Sequence, residues 1–300
     1  MFSFHEVSKE FRTDFWEKPF RALDNVSFNL RAGNIVGFLG ANGAGKTTGI
    51  KILLGFIKPT SGSIEFDSSL GKNRSEIFKN IGYLPERPYF YADLTGQEFI
   101  NYIGQLNDLT QAEINKNGSH WAKSLKIDFA LNRKLRFYSK GMLQRLGFVA
   151  ALVADPKLLI LDEPLSGLDP LGRKEFKDIM NLLSSEGKTI FFSSHILSDV
   201  EEVSKDVVIL ESGKLVHSGS LQELVKGKAT KEYELVIDGD FSENFSKLGS
   251  TKKLGEFSKL IFNESEYVQV VEEVSKKNLN IESLKKITPT LEDIIYRIGV

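Results

Sequence analysis

Residues Gly40-Ala41-Asn42-Gly43-Ala44-Gly45-Lys46-Thr47 follow the spacing G-x-x-x-x-G-K-[ST], a pattern suited to holding phosphate groups. In such a loop successive backbone amides surround phosphate oxygens, the lysine reaches the outer phosphates and the hydroxyl binds Mg²⁺. Glycine serves where a side chain would block the backbone's approach. Gly40, Asn42, Gly43, Ala44, Gly45, Lys46, Thr47 and the adjoining Thr48 are therefore candidate nucleotide contacts, and Thr47 is also a candidate metal ligand.

A second constellation is Leu158-Leu159-Ile160-Leu161-Asp162-Glu163, an apolar run that ends in two acids. Read as a parallel strand, it delivers both carboxylates to the carboxyl end, where open α/β sheets bind ligands. Asp162 is placed to reach a metal. Glu163 is placed to orient and deprotonate an attacking water, worth on the order of 10² to 10⁴ in rate, or about 3 to 5 kcal/mol. Taken alone the pair also fits a surface step after a core strand; the glycine loop elsewhere in the chain is what favours chemistry.

These side chains need a frame, and the apolar patterning supplies one. Residues 34–39 read as a buried strand entering the glycine loop, and residues 46–57 have the spacing of a helix that ends near Pro59. A helix N-terminus there adds about half a positive charge facing the phosphate. Alternation at Phe2/Phe4 and Val26/Phe28/Leu30 predicts half-buried antiparallel strands, joined through an aromatic, charged loop over 11–20. Short strands are expected at 63–66 and 81–84.

The chain then turns helical. Thr95 with Glu98 and Thr110 with Glu113 have the spacing of capping boxes, and Ser139 reads as the N-cap of a third helix that stops at Asp155-Pro156. The sheet pattern resumes with strands at 158–161 and 189–193, a helix opened by Asp169-Pro170, a short helix near Glu201, and a hairpin turned by Ser212-Gly213. A capped helix at Ser220 with Glu223 closes this section. Parallel strands joined by helices imply an α/β domain. After residues 227–228 the rhythm restarts as strand 232–237, helix 241–248, two strands across 251–263, helix 264–277, strand 281–287 and helix 289–298. That order suggests a small ferredoxin-like α+β domain over 228–300.

Composition limits the alternatives. The 300 residues are 41% hydrophobic and 26% charged, with net charge −1, which excludes disordered and collagen-like classes and any global basic field for nucleic acid. The chain has no Cys, hence no disulfide, thiolate nucleophile or Cys-ligated zinc. The first ten residues read as no secretory signal. The longest apolar run, 146–154, is far short of the roughly 20 residues that cross a bilayer.

Together with Tyr138-Ser139-Lys140-Gly141-Met142, the glycine loop and the paired acids resemble, over roughly residues 1 to 225, the nucleotide-binding subunit of ATP-binding cassette (ABC) transporters. The resemblance implies a P-loop NTPase fold with a mixed sheet and an inserted helical subdomain at about 88–155, within an ATP-binding domain over 1–227. It implies ATP and Mg²⁺ as cofactors. In that family the five-residue signature caps a helix and contacts the γ-phosphate held on a second subunit; Ser139 and Gly141 keep its second and fourth positions, while Lys140 and Met142 depart from the common form.

The remaining motifs follow in the family's order. Ser166-Gly167-Leu168-Asp169 resembles the loop that communicates between subunits, and Asp169 also serves as a helix cap. His195, 32 residues beyond Glu163, matches the histidine that senses the γ-phosphate, so the resemblance makes Glu163, His195 and Lys46 the catalytic set. Glu86, after Tyr83-Leu84-Pro85, stands where a glutamine contacts Mg²⁺ or water and joins Thr47 and Asp162 as a metal-site candidate. Phe11 best matches the aromatic that stacks on adenine, with Trp16 as competitor and core packing as the plain alternative for either.

The resemblance implies head-to-tail dimerisation with a second copy or a homologous ATPase subunit, and an integral membrane permease on a separate chain, contacted through 88–155 at the cytoplasmic face of the membrane. The signature and the ending Thr290-Leu291-Glu292-Asp293-Ile294 look like the bacterial exporter subgroup; no nucleic acid partner is expected. Alternatives are a soluble ABC-type ATPase acting on ribosomes or DNA, disfavoured by one cassette and only 93 residues from Lys46 to Ser139, and a non-hydrolysing regulatory subunit. Residues 230–300 carry no catalytic constellation.

Overall fold

The computed structural model describes residues 1–12, 16, 19–88, 90–227, 231–241, 245–287, 291–292 and 294. The chain divides into two compact units, with the boundary between Gln222 and Glu223.

In the first unit β1 (Phe2–Phe11) and β2 (Phe20–Leu30) form a long antiparallel pair, and β3 (Ile35–Leu39) leads through the glycine loop into α1 (Lys46–Leu53). Then come β4 (Ser61–Phe66), α2 (Arg74–Lys79), β5 (Ile81–Leu84), and the helices α3 (Gly96–Leu106), α4 (Gln111–Ser124) and α5 (Lys140–Leu152). The sheet resumes with β6 (Leu158–Leu161), α6 (Pro170–Ser185), β7 (Thr189–Ser194), α7 (Leu197–Val203), β8 (Asp206–Glu211) and β9 (Lys214–Ser220), and the boundary between the units falls within the next helix, α8 (Leu221–Gly227).

A six-stranded sheet has the order β5-β6-β7-β3-β8-β9, parallel except for β9. A three-stranded antiparallel sheet, β2-β1-β4, packs against it. The contact is aromatic: Phe4 stacks on Phe28 with ring centroids 4.5 Å apart, Phe2 meets Phe191 edge-on at 5.4 Å, and Phe38 meets Phe191 at 4.9 Å. Each such pair adds about 0.5 to 1.5 kcal/mol beyond burial, and together they fix β2 beside the glycine loop. Both capping boxes, Thr95–Glu98 and Thr110–Glu113, are formed, and Ser139 and Asp169 cap α5 and α6. Ser212 and Gly213 both take positive φ, 47° and 81°, as a tight hairpin turn with the right twist demands.

Two local differences from the sequence expectation have clear causes. Helix α1 ends at Leu53 instead of reaching residue 57, because Gly55 takes φ +71° and its amide bonds the Ile52 carbonyl while Phe56 bonds that of Lys51. That paired bonding closes a helix through a left-handed glycine. Helix α2, capped by Asn73 on the amide of Glu76, buries no residue and so carries little apolar periodicity to reveal it.

In the second unit β10 (Glu232–Asp238), β11 (Gly249–Leu254), β12 (Phe257–Asn263), α9 (Tyr267–Lys276) and β13 (Ile281–Lys286) give a four-stranded antiparallel sheet of order β11-β12-β10-β13. Its core gathers Leu235, Ile237, Phe245, Leu260, Phe262, Val270 and Val274. Where a helix over 241–248 was expected, the described residues form a single 3₁₀ turn, Phe245–Lys247. The helix expected at 289–298 falls largely outside the described residues.

Candidate active site

The glycine loop folds around backbone approaches that exclude side chains. A Cβ on Gly45, whose φ is +105°, would lie 2.4 Å from the Ala22 carbonyl oxygen on β2. Lys46, 6% exposed, donates from Nζ to the carbonyls of Gly40 at 2.5 Å and Ala41 at 3.2 Å, and lies 4.0 Å from Glu163 Oε1. Burial pushes the Lys46 ammonium below its ordinary pKa, opposed by the charges of Glu163, Asp162 and Glu86.

The acids stand where β6 ends. Asp162 is 1% exposed; its Oδ1 accepts the Ser193 hydroxyl at 2.6 Å and the Thr47 hydroxyl at 3.4 Å. Burial holds its carboxyl above the usual carboxylate range, the two hydroxyl bonds acting in the opposite sense. Nearby Tyr83 is pushed up to about 12 by burial and by the Asp162 charge. Glu163 takes φ +49°, a left-handed conformation costing on the order of 1 to 3 kcal/mol in a non-glycine residue, and its amide is fixed by Ser193 Oγ at 2.8 Å. Its Oε2 lies 2.8 Å from His195 Nδ1.

One cleft of about 360 Å³ gathers Asn42, Gly43, Gly45, Lys46, Thr47, Thr48, Glu86, Glu163 and His195, with Ser166 beside them. Gly40 and Ala44 belong to the same loop: Gly40 supplies a carbonyl to Lys46, and the Ala44 amide bonds the Ala41 carbonyl. Phe20 and Ala22, two residues apart on β2, also line the cleft. The sequence expectation put Phe11 or Trp16 there, and neither lines it. Phe11 pairs with Phe20 across the β1–β2 register but stands one strand farther from the loop, with Lys9 Nζ 5.1 Å from its ring centre.

Thr47 lines the cleft and its hydroxyl points to the buried Asp162 carboxylate. Among the described residues no cluster of three or more His, Cys, Asp or Glu side chains could hold a metal ion. One buried carboxylate and one hydroxyl beside a phosphate loop do fit Mg²⁺, which keeps waters and substrate phosphates among its ligands.

Ser139 and Gly141 are not part of this cleft. They open α5, where Ser139 Oγ accepts the Met142 amide at 3.2 Å and a Cβ on Gly141 would lie 3.7 Å from the Gly167 carbonyl oxygen. Sequence reasoning missed Phe20, Ser193 and Gln144, a 1% exposed amide that donates to the Pro164 carbonyl at 2.9 Å.

Residues 23–166 match the family model for ABC transporters. The chain is 38% identical over 297 residues to an uncharacterized ABC transporter ATP-binding protein of Synechocystis sp., covering 97% of this chain and 82% of that one. It is 43% identical over 213 residues to the bacitracin transport ATP-binding protein BcrA of Bacillus licheniformis, covering 69% and 67%. Among solved structures it superposes on the ATP-binding subunit of an ABC transporter with TM-score 0.67 at 28% identity, over 76% of this chain and 92% of that one. It shares its fold with a dimeric ATP-binding cassette in a post-hydrolysis state bound to ADP and Pi, TM-score 0.66 at 23% identity, over 74% and 99%. Loop, acids and surrounding sheet all fall within these matches, and the chain belongs to the ABC transporter ATP-binding proteins, a family of ATPase cassettes.

Proposed function

We propose that this chain hydrolyses ATP to drive export through a separate membrane permease, closing head to tail with a second copy or a homologous ATPase subunit. The observation that carries the catalytic part is the Glu163 carboxylate, held 2.8 Å from His195 and 4.0 Å from Lys46 at the mouth of the phosphate loop. Lys46 and the amides of residues 42–48 hold the β- and γ-phosphates. Glu163 takes the proton of the attacking water, and His195, fixed through Nδ1, leaves Nε2 for the γ-phosphate. Thr47 and Asp162 hold Mg²⁺, with Glu86 beside them, and the bound ion supplies charge neutralisation for the transferred phosphoryl group. Catalysis is then mainly positioning and electrostatic stabilisation.

Ser139 and Gly141 lie outside their own cleft, which suits a role at the nucleotide of the other subunit. The permease reading draws on an apolar groove of about 230 Å³ between β5, α3 and α5, lined by Tyr83, Pro85, Pro88, Phe90, Phe99 and Ile103; Pro85 in that lining directly precedes Glu86 in the chain. No helix among the described residues is long and apolar enough to cross a membrane, so the chain would work peripherally, at the cytoplasmic face, through its partner. Export is the direction favoured by the resemblance of the Tyr138–Met142 signature and the sequence over 290–294 to the bacterial exporter subgroup. The ATP-binding domain would run to residue 227, with its helical subdomain over about 88–155 and an accessory α+β domain after it, read as ferredoxin-like from its strand order. Affinity purification of the full chain from detergent-solubilised cells tests the assignment: repeated recovery of a multispanning protein supports it, and recovery with ribosomes or DNA instead overturns it.

A further inference from the structure

We infer that Gln144, with Lys140 one turn before it, is a positioning pair that ties the N-terminus of α5 to Glu163 through the loop over 164–167. The two side chains are four residues apart and therefore share one face of the helix. Gln144 is 1% exposed and donates to the Pro164 carbonyl at 2.9 Å, so this bond grips the residue that directly follows Glu163. Lys140 lays its stem over the far end of the same loop: a Cβ on Gly167 would fall 2.5 Å from Lys140 Cε and 2.7 Å from Cδ. Gly167, at φ +76°, gives the stem the room it needs.

The loop between these grips is short and internally bonded, with the Ser166 amide on the Glu163 carbonyl at 3.1 Å. Glu163 itself is held from its other side by Ser193. Its left-handed backbone is not a conformation a glutamate adopts unaided, so its carboxylate stays on His195 only while both flanking peptides are restrained. A displacement of the first turn of α5, which carries Ser139 and Gly141, is transmitted by a hydrogen-bonded side chain to the residue beside the catalytic carboxylate.

This inference rests on Glu163 acting as the base. The test uses the full chain with Gln144→Met, which keeps the volume and removes the donor, Gln144→Glu, which places an acceptor against a carbonyl, Lys140→Ala, and each combined with Glu163→Gln. The Gln144 variants are expected to lower kcat on the order of 10- to 100-fold, the scale of a misplaced reacting group, with KM and nucleotide affinity within about twofold. Lys140→Ala should act in the same sense but less, and Lys140→Arg should restore the rate. In the Glu163→Gln background the Gln144→Met change should cost nothing further, because the group it positions is gone. A wild-type kcat for Gln144→Met, a loss of ATP binding equal to the loss of rate, or full additivity with Glu163→Gln would each overturn the inference. If Glu163→Gln alone hydrolysed ATP at the wild-type rate, the base assignment would fall and the positioning role with it.

Discussion

Ser193 donates a 2.6 Å hydrogen bond to Asp162, and the same oxygen accepts the amide of the next residue, Glu163, at 2.8 Å. One hydroxyl near the end of β7 thus holds both adjoining acids, the proposed metal ligand and the proposed base, at the end of the neighbouring strand. Ser193→Ala leaves two buried groups without this partner, a loss of about 1 to 3 kcal/mol. The unfolding midpoint should drop by about 2 to 4 °C for each kcal/mol, and hydrolysis should slow more than ATP binding weakens. Calorimetry with parallel ATPase assays checks both, and unchanged values in both would refute the role.

Asp162 predicts a pH dependence. Burial holds its folded-state pKa above the ordinary value, so the folded chain keeps this proton to higher pH than the unfolded chain does. The stability cost of the ionised form is fully felt above the raised value and vanishes below the ordinary one. Asp162→Asn is therefore expected to raise the unfolding midpoint of the nucleotide-free chain at pH above that raised value, with the gain shrinking as the pH falls toward the ordinary carboxylate range. Its ATP binding should lose sensitivity to Mg²⁺ at the same time. A gain that grows on acidification contradicts the sign.

Phe20, 61% exposed, lines the cleft. Stacking of a base on such a ring is worth about 1 to 3 kcal/mol. Phe20→Ala should weaken ATP binding by about 5- to 150-fold and Phe20→Trp should preserve it, whereas Phe11→Ala should do less than Phe20→Ala. Displacement of a fluorescent ATP analogue measures all three. A loss confined to Phe11→Ala would shift the stacking residue to β1.

Much of the site is local, which is why it could be read early. The glycine loop encodes its own turn, the paired acids end an apolar strand, and Thr95–Glu98 and Thr110–Glu113 carry their caps within one helical turn. What escaped reading depends on distant partners. Whether Phe11 or Phe20 faces the loop is decided by the pairing of β1 with β2 and by the close approach of Gly45 to Ala22 on β2, not by either residue's neighbours. Ser193 and Gln144 look ordinary in isolation because their acceptors, Asp162 and the Pro164 carbonyl, lie 31 and 20 residues away. The end of α1 was set by Gly55, whose left-handed cap outranked the apolar residues that seemed to continue the helix.

The most direct test of the account is single-turnover hydrolysis by Glu163→Gln. Glutamine keeps the size of the side chain and its bond to His195 but cannot take a proton from water. ATP affinity should stay within about twofold of wild type while the rate of γ-phosphate cleavage falls on the order of 10² to 10⁴. Cleavage at the wild-type rate with ATP bound as tightly would show that Glu163 is not the base.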